Sequence, residues 1–332
     1  MCDNSLDSGL RTLADRLAQA RSVVVVSHAR PDGDALGTML AIARSARQAG
    51  KDAWPVVADP IPGRYEFLTR HCPVEPGEMF GRLANQADCV LVVDTSSWRQ
   101  LEPMAKTLRG IAHKVVVLDH HATGDEVGSA RWVDSSAPAA GVMAMELLDE
   151  LGWPTDEPTL ELLSTAVITD TGWLRFSNTT PRALAVVGRW LEAGGQPDQL
   201  HARLYQRDRV ERLRLQSRAV QSLSLHHGDS VAVMQLTRRD FREVGAGEDE
   251  TEDLVNEPLR IGSVEVSVLL TELATTCVRG SLRSKGGVDV SALAQRLGGG
   301  GHVRAAGVRL DATLEEAERM ILTALAEAGE GD

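Results

Sequence analysis

Val23-Val24-Val25-Val26-Ser27-His28-Ala29-Arg30-Pro31-Asp32-Gly33-Asp34-Ala35-Leu36-Gly37 is the stretch that decides the fold. Val23 to Ser27 reads as a strand buried on both faces, as in a parallel sheet. Asp34 to Ala49 follows as a helix with Leu36, Met39, Leu40 and Ala43 on one face, ended by Gly50. One imidazole and two carboxylates, His28, Asp32 and Asp34, sit between strand and helix. That is the carboxyl end of the strand, where open α/β sheets bind ligands.

Outward from this point the same alternation continues. Leu10 to Ala20 reads as a helix and Trp54 to Ala58 as a strand. Cys89 to Val93 and Val115 to Leu118 are short, continuously apolar strands, so a parallel sheet with crossover helices is expected. Pro138 to Leu151, Pro158 to Thr169 and Pro181 to Ala193 read as helices, the last two with proline in the first turn. Asp198 to about Leu225 is charged and reads as one long exposed helix, a connector. Strands are expected again at Ser230 to Leu236, Val264 to Leu270, Thr276 to Leu282 and Gly307 to Leu310, with helices at Val290 to Leu297 and Leu314 to Ala328. The expected class is α/β: an N-terminal parallel-sheet domain with flanking helices over 1–195, a helical linker over 196–225, and a smaller C-terminal α/β domain over 226–332.

Length and composition agree with this class. A chain of 332 residues implies about two domains. Hydrophobic residues at 43% and charged residues at 25% are ordinary for a globular protein. No apolar run approaches the roughly 18 to 20 residues that span a bilayer, so no membrane partner is expected. Met1 to Asp7 is polar and acidic, unlike a signal peptide. Cys2, Cys72, Cys89 and Cys277 are scattered, with neither zinc nor disulfide spacing, which fits a reduced cytoplasmic setting. A net charge of −12 disfavours a surface for long nucleic acids. A small anionic substrate is compatible with it, provided metal ions and a few arginines supply local positive charge.

Four clusters share one kind of position, just after an apolar run or at a helix end. They are His28-Asp32-Asp34, then Asp94 after Cys89 to Val93, then Asp119-His120-His121 after Val115 to Leu118, then Asp170 in Thr169-Asp170-Thr171-Gly172. Taken singly, an aspartate after a strand is usually a cap or turn residue, and a His-His pair is usually surface or structural. Jointly, the three clusters after strands argue for convergence on one sheet edge, to which the covering helices would bring Asp170. Oxygen and imidazole donors suit Mn2+ ahead of Mg2+, Co2+ or Fe2+, and the absence of thiolates argues against structural zinc. Asp32, Asp34, Asp94 and Asp170 bring four negative charges together. At an effective dielectric near 20, each close pair repels by about 4 kcal/mol, which two divalent ions would neutralise.

The ordered set His28-x3-Asp32-x-Asp34-x2-Gly37, Val93-Asp94-Thr95-Ser96, Asp119-His120-His121-Ala122 and Thr169-Asp170-Thr171-Gly172 resembles the DHH phosphoesterase superfamily. Gly298-Gly299-Gly300-Gly301-His302-x2-Ala305-Ala306-Gly307, preceded by Arg279 to Ser284, resembles its DHH-associated domain. The two-domain length resembles the bifunctional oligoribonuclease and pAp-phosphatase (nanoRNase) branch, whose bacterial relatives also hydrolyse linear or cyclic dinucleotides. The resemblance implies two divalent ions. One would be held by His28, Asp32 and Asp94, the other by Asp34, Asp94, His120 and Asp170, with Asp94 shared. It implies Asp119 as the residue orienting a histidine and His121 as the residue facing the phosphate. Arg283, Ser281, Gly299, Gly300, Gly301 and His302 would recognise phosphate and base. The implied reaction is hydrolysis of short oligoribonucleotides, dinucleotides or 3′-phosphoadenosine 5′-phosphate (pAp) by metal-activated water. A homodimer is implied as well.

Three rival functions stand beside this one: a pyrophosphatase or exopolyphosphatase of the same superfamily, a nucleotide-binding sensor with a degenerate site, and a long-strand single-strand exonuclease, which the net acidity disfavours. The glycine-rich segment favours nucleotide cleavage over the first, and the complete ligand set argues against the second. His71, Cys72, His113, His226 and His227 lack partner spacing and are expected to be non-catalytic. Asn178-Thr179-Thr180 either lines the site or caps the next helix, Thr180 before Pro181 being a good N-cap.

Overall fold

The structure is a computed structural model that describes residues 4–102 and 104–329. The chain divides into two compact units, Met1–Arg207 and Asp208–Asp332.

In the first unit the elements are α1 (Asn4–Gln19), β1 (Ser22–Val26), α2 (Gly33–Gln48), β2 (Asp52–Val57), β3 (Glu75–Pro76), α3 (Phe80–Gln86), β4 (Cys89–Val93), α4 (Ala105–Gly110), β5 (Val115–Asp119), β6 (Ala130–Val133), α5 (Ala140–Leu151), α6 (Glu157–Asp170), α7 (Pro181–Glu192) and α8 (Pro197–Tyr205). The six strands form one parallel sheet in the order β3-β2-β1-β4-β5-β6. Strand side chains alternate between faces, and both faces are dry. Val23, Val25, Leu91, Val93, Val116 and Leu118 pack under α1, α2, α5 and α6. Val24, Val26, Val90, Val92, Val115 and Val117 pack under α3 and α4. The strand order reverses between β1 and β4, and an open sheet has its ligand crevice at that switch point.

Helix α2 lies against α6 at small residues. A Cβ on Gly37 would meet the Leu162 carbonyl oxygen at 2.4 Å, and one on Gly33 would meet Thr169 Oγ1 at 2.4 Å. The glycines therefore set the distance between the helix that carries Asp34 in its first turn and the helix that ends at Asp170.

In the second unit the elements are α9 (Val210–Gln221), β7 (Ser224–His226), β8 (Val231–Leu236), α10 (Arg238–Val244), β9 (Val266–Ala274), β10 (Cys277–Ser284), α11 (Val290–Arg296), β11 (Gly300–His302), β12 (Ala305–Leu310) and α12 (Leu314–Gly329). Its sheet is mixed, in the order β11-β12-β10-β9-β8-β7, with β8 and β9 parallel and the other pairs antiparallel. One face packs Val268, Val278, Leu282 and Val308 against α11 and α12. The other packs Met234 and Leu269 against α9 and α10.

One expectation needs correction. The stretch 198–225 is not one long helix. Leu200 and Leu204 of α8 belong to the first unit's core, whereas Leu215 and Ala219 of α9 belong to a core of the second. Each helix has its own apolar pair at i, i+4, which the surrounding charge disguised. The glycine run at 298–301 is held by backbone hydrogen bonds. The N–H groups of Gly298 and Gly299 cap α11 through Gln295 O and Ala294 O, and Gly300 to His302 form the short strand β11. Glycine is required there because a Cβ on Gly299 would meet Gly307 O at 2.2 Å and one on Gly301 would meet Ala305 O at 2.4 Å.

Among the described residues no helix is long and apolar enough to cross a membrane. Cys72, Cys89 and Cys277 are free thiols, and Cys2 lies outside the described residues.

Candidate metal centre

His28 follows β1, Asp94 follows β4, and Asp119 to His121 end β5, three adjacent strands of the sheet. Asp32 is the N-cap of α2, its Oδ1 accepting from the Ala35 N–H at 3.0 Å, and Asp34 lies in that helix's first turn. Asp170 is the last residue of α6. The structure gathers these side chains into three overlapping groups of potential ligand atoms: His28-Asp32-Asp94, Asp34-His120-Asp170 and Asp94-His120-His121.

Asp94 stands at the centre. Its backbone takes a left-handed conformation (φ 60°), uncommon for a side-chain-bearing residue and tolerated best by Asn and Asp. Its Oδ2 lies 3.4 Å from His28 Nε2 and its Oδ1 lies 3.3 Å from His120 Nε2. His120 Nε2 is also 3.6 Å from Asp34 Oδ2, and His28 Nε2 is 4.0 Å from Asp32 Oδ1.

Both histidines are anchored by the opposite ring nitrogen. His28 Nδ1 is 2.8 Å from Ala29 O, and His120 Nδ1 is 3.2 Å from Ala137 O. A carbonyl only accepts, so Nδ1 carries the proton and Nε2 faces the carboxylates, as in metal-binding histidines.

Asp34 is the most firmly held carboxylate. It accepts from the Ala140 N–H (2.7 Å), the Gly141 N–H (2.9 Å) and Thr38 Oγ1 (3.1 Å). Asp119 is buried and accepts from Ser96 Oγ at 2.6 Å and His121 Nδ1 at 2.8 Å. Asn178 Nδ2 donates to the backbone carbonyls of Pro138 (3.0 Å) and Asp170 (3.2 Å) and lies 3.5 Å from Asp170 Oδ2. Asn178 therefore lines the site. Thr180 occupies the N-cap position of α7 but its hydroxyl makes no capping bond.

The charge state of the metal-free site follows from this crowding. Burial, with the Asp94 charge next, raises the Asp34 carboxyl well above its ordinary range. Burial, joined by the charges of Asp94 and Asp32, pushes Asp170 up to about 7 against the pull of His120. Asp94 goes the other way, its burial outweighed by hydrogen bonding to His120 and His28. Burial opposes charge on the imidazoles, but Asp94 overcomes it and raises His28 to about 9 and His120 to about 10. His121 is also raised, its burial overcome chiefly by Asp119.

Asp94 is buried with its two carboxylate oxygens turned toward the Nε2 atoms of His28 and His120. A buried carboxylate is costly unless positive charge faces it, whether from imidazolium or from a bound cation. With three further carboxylates and two imidazoles converging beside it, the donor set fits divalent cations of the kind that take oxygen and nitrogen ligands.

Residues 22–167 match the profile of the DHH family N-terminal domain, and residues 228–329 match the DHHA1 domain. The bifunctional oligoribonuclease and PAP phosphatase NrnA of Thermus thermophilus is 32% identical over 308 residues, covering 92% of this chain and 89% of that protein. The chain belongs to the DHH family of phosphoesterases. The cyclic-di-AMP phosphodiesterase PdeA of Listeria monocytogenes is another DHH relative, 26% identical over 95% of this chain and 49% of its own length. An exopolyphosphatase-related protein from Bacteroides fragilis shares the fold, with a TM-score of 0.90, 22% identity, and 97% and 96% of the two chains covered.

In the DHHA1 unit, Ser281 and Arg283 lie on β10 opposite Gly307 and Ala305 of β12, and Gly300 lies opposite Gly307 on the far side. Opposed residues share a face, so Ser281, Gly307 and Gly300 form a nearly side-chain-free strip with Arg283 along it. Arg283 donates from Nη1 to Leu282 O at 3.0 Å, and burial lowers its pKa. The His302 side chain lies outside the described residues.

Three of the weaker candidates, His71, His226 and Cys72, have structural partners. His71 is 3.3 Å from Glu161, and His226 is 3.2 Å from Glu318. Cys72 Sγ accepts from Arg47 at 3.2 Å. Sequence reasoning missed Thr38 and the Ala140 and Gly141 N–H groups and gave Ser96 no role beyond the Val93-Asp94-Thr95-Ser96 context. Of its two readings of Asn178, the structure favours the one that lines the site.

Proposed function

We propose that this chain is a two-metal phosphoesterase that hydrolyses short oligoribonucleotides, pAp and linear or cyclic dinucleotides. The single observation that carries the metal assignment is the convergence of two ligand groups on Asp94, a buried carboxylate that belongs to both. One ion is assigned to His28, Asp32 and Asp94, the other to Asp34, Asp94, His120 and Asp170. Mn2+ is the proposed metal, with Mg2+ or Co2+ as substitutes. The nucleotide substrates are taken from the named activities of the relatives, and the DHHA1 face bearing Ser281, Arg283 and Gly300 supports them.

Divalent ions bound there supply positive charge for the phosphoryl oxygens and acidify water. The chain's own groups do the rest. Asp119 accepts from Nδ1–H of His121 and leaves the opposite ring nitrogen to face the phosphate. So oriented, His121 is assigned as the proton donor to the leaving oxygen. Arg283 offers its guanidinium to a phosphate. The proposed setting is the cytosol, where the free thiols stay reduced.

The test is a parallel assay of the Mn2+-loaded protein on short RNA, pAp, linear and cyclic dinucleotides and inorganic pyrophosphate, with products separated by chromatography. Hydrolysis of the nucleotides is expected. Preference for pyrophosphate, or no turnover with two ions bound, overturns the reading.

A further inference from the structure

The loop that follows α6 has an unusual backbone. Gly172, Trp173 and Leu174 lie consecutively in the left-handed region, at φ 55°, 60° and 61°. Glycine adopts this conformation freely, whereas Trp and Leu are strained in it. The surroundings hold the strain in place. The Trp173 N–H donates to Ile168 O (2.7 Å), and the Arg175 and Phe176 N–H groups both donate to Thr171 O (3.0 Å each). Arg175 Nε donates to Gly172 O at 2.8 Å. The Trp173 ring packs edge-on against His201 and Tyr205, with centroids 5.0 and 5.7 Å away. Asn178 ties the far side of the loop to Asp170 and Pro138.

This rigid turn holds one aromatic ring in the open. Phe176 is 52% exposed, and its ring lies across Gly172, where a Cβ would stand 2.3 Å from Cζ. Gly172 is two residues beyond Asp170. A lone exposed apolar side chain needs no explanation. A ring displayed by a strained, hydrogen-bonded loop that is tied to a proposed metal ligand does, because strain of this kind gathers at functional sites.

We propose that Phe176 is a stacking platform for a nucleobase of the substrate, set beside the metal centre by the 171–180 loop. The inference rests on the nucleotide reading above and adds a base subsite within the first unit. A ring face stacks on any base, so this subsite accepts purines and pyrimidines alike.

The test compares wild type, Phe176→Ala and Phe176→Trp, all Mn2+-loaded, on 5′-phosphorylated diadenylate and on the same dinucleotide with both bases replaced by hydrogen. Thermal melts confirm folding. For Phe176→Ala, KM on diadenylate should rise about 10- to 100-fold, the usual effect of losing one stacked base. kcat should stay within about threefold, the abasic substrate should be unaffected, and Phe176→Trp should retain the wild-type KM. An unchanged KM on diadenylate, or an equal loss on the abasic substrate, overturns the stacking role while leaving the phosphoesterase reading intact. Failure of wild type itself to cleave diadenylate overturns both.

Discussion

Replacing Asp94 by Asn keeps the side chain's shape and removes the charge shared by both ligand groups. In the metal-free protein its oxygens lie 3.4 and 3.3 Å from the Nε2 atoms of His28 and His120. At an effective dielectric near 20 each pair attracts by about 5 kcal/mol. Burial opposes part of this, and the net outcome is the rise of His28 from 6.5 to about 9 and of His120 to about 10. Those rises correspond to about 3 and about 5 kcal/mol. Both imidazoles hold protons more tightly folded than unfolded. Their stabilisation is therefore complete below pH 6.5 and disappears as pH climbs through about 9 to 10. Asp94→Asn should cost about 3–5 kcal/mol near neutral pH, with the gap closing in strong base. His28 should then titrate at or below 6.5, while His120, still facing Asp34 and Asp170, falls less far. Imidazole NMR titration of chelator-treated protein, with urea unfolding at neutral and high pH, measures both effects. With Mn2+ present, the variant should bind fewer than two equivalents and lose about 1,000-fold or more in hydrolysis, since several kcal/mol of charge stabilisation go with the ions. Imidazoles still titrating at their wild-type values, or wild-type turnover with two ions retained, would refute the reasoning.

Asp119→Ala should lower activity about 10- to 100-fold by releasing His121, and Ser96→Ala less, measured as kcat with metal content held constant. In the metal-free protein, Asp34 and Asp170 keep their protons longer folded than unfolded. This contribution is present below pH 3.8 and is lost as pH rises, for Asp170 through about 7. Tm without metal should thus fall from mildly acidic to mildly basic pH, and Mn2+ should restore most at the basic end with release of protons. A Mn2+-induced gain that is flat with pH contradicts this. Gly37→Ala drives a methyl to 2.4 Å from Leu162 O, so it should cost about 1–3 kcal/mol and weaken Mn2+ binding by parting Asp34 from Asp170. Wild-type melting and affinity in that variant would count against the helix-spacing argument.

Much of the site was legible because its residues follow runs with local signatures. Four consecutive valines at 23–26 announce a buried strand, and His28 after them stands at its carboxyl end. The short edge strand β6 was not legible, because Ala130 to Val133 buries only Trp132 fully and has no apolar run. The four glycines looked like a phosphate loop. That Gly299 and Gly301 also pass close under β12 depends on Gly307 and Ala305 carbonyls that no local pattern reveals. Ser96 had no role legible in sequence and Asn178 stood between two, and their bonds to Asp119 and Asp170 make both parts of the site.

By itself, the sequence determined which residues could bind a metal and that each sits at the end of an element, because composition, apolar runs and helical periodicity are local properties. Only the tertiary structure decided that they meet. The order β1-β4-β5 places His28, Asp94 and Asp119 to His121 on neighbouring strands, and it arises from hydrogen bonds between segments far apart in the chain. The approach of α2 to α6 across glycines then brings Asp34 to Asp170, and the N–H groups that open α5 hold Asp34 in place. Backbone donors look alike in sequence, and three-dimensional packing alone selects which of them face a carboxylate.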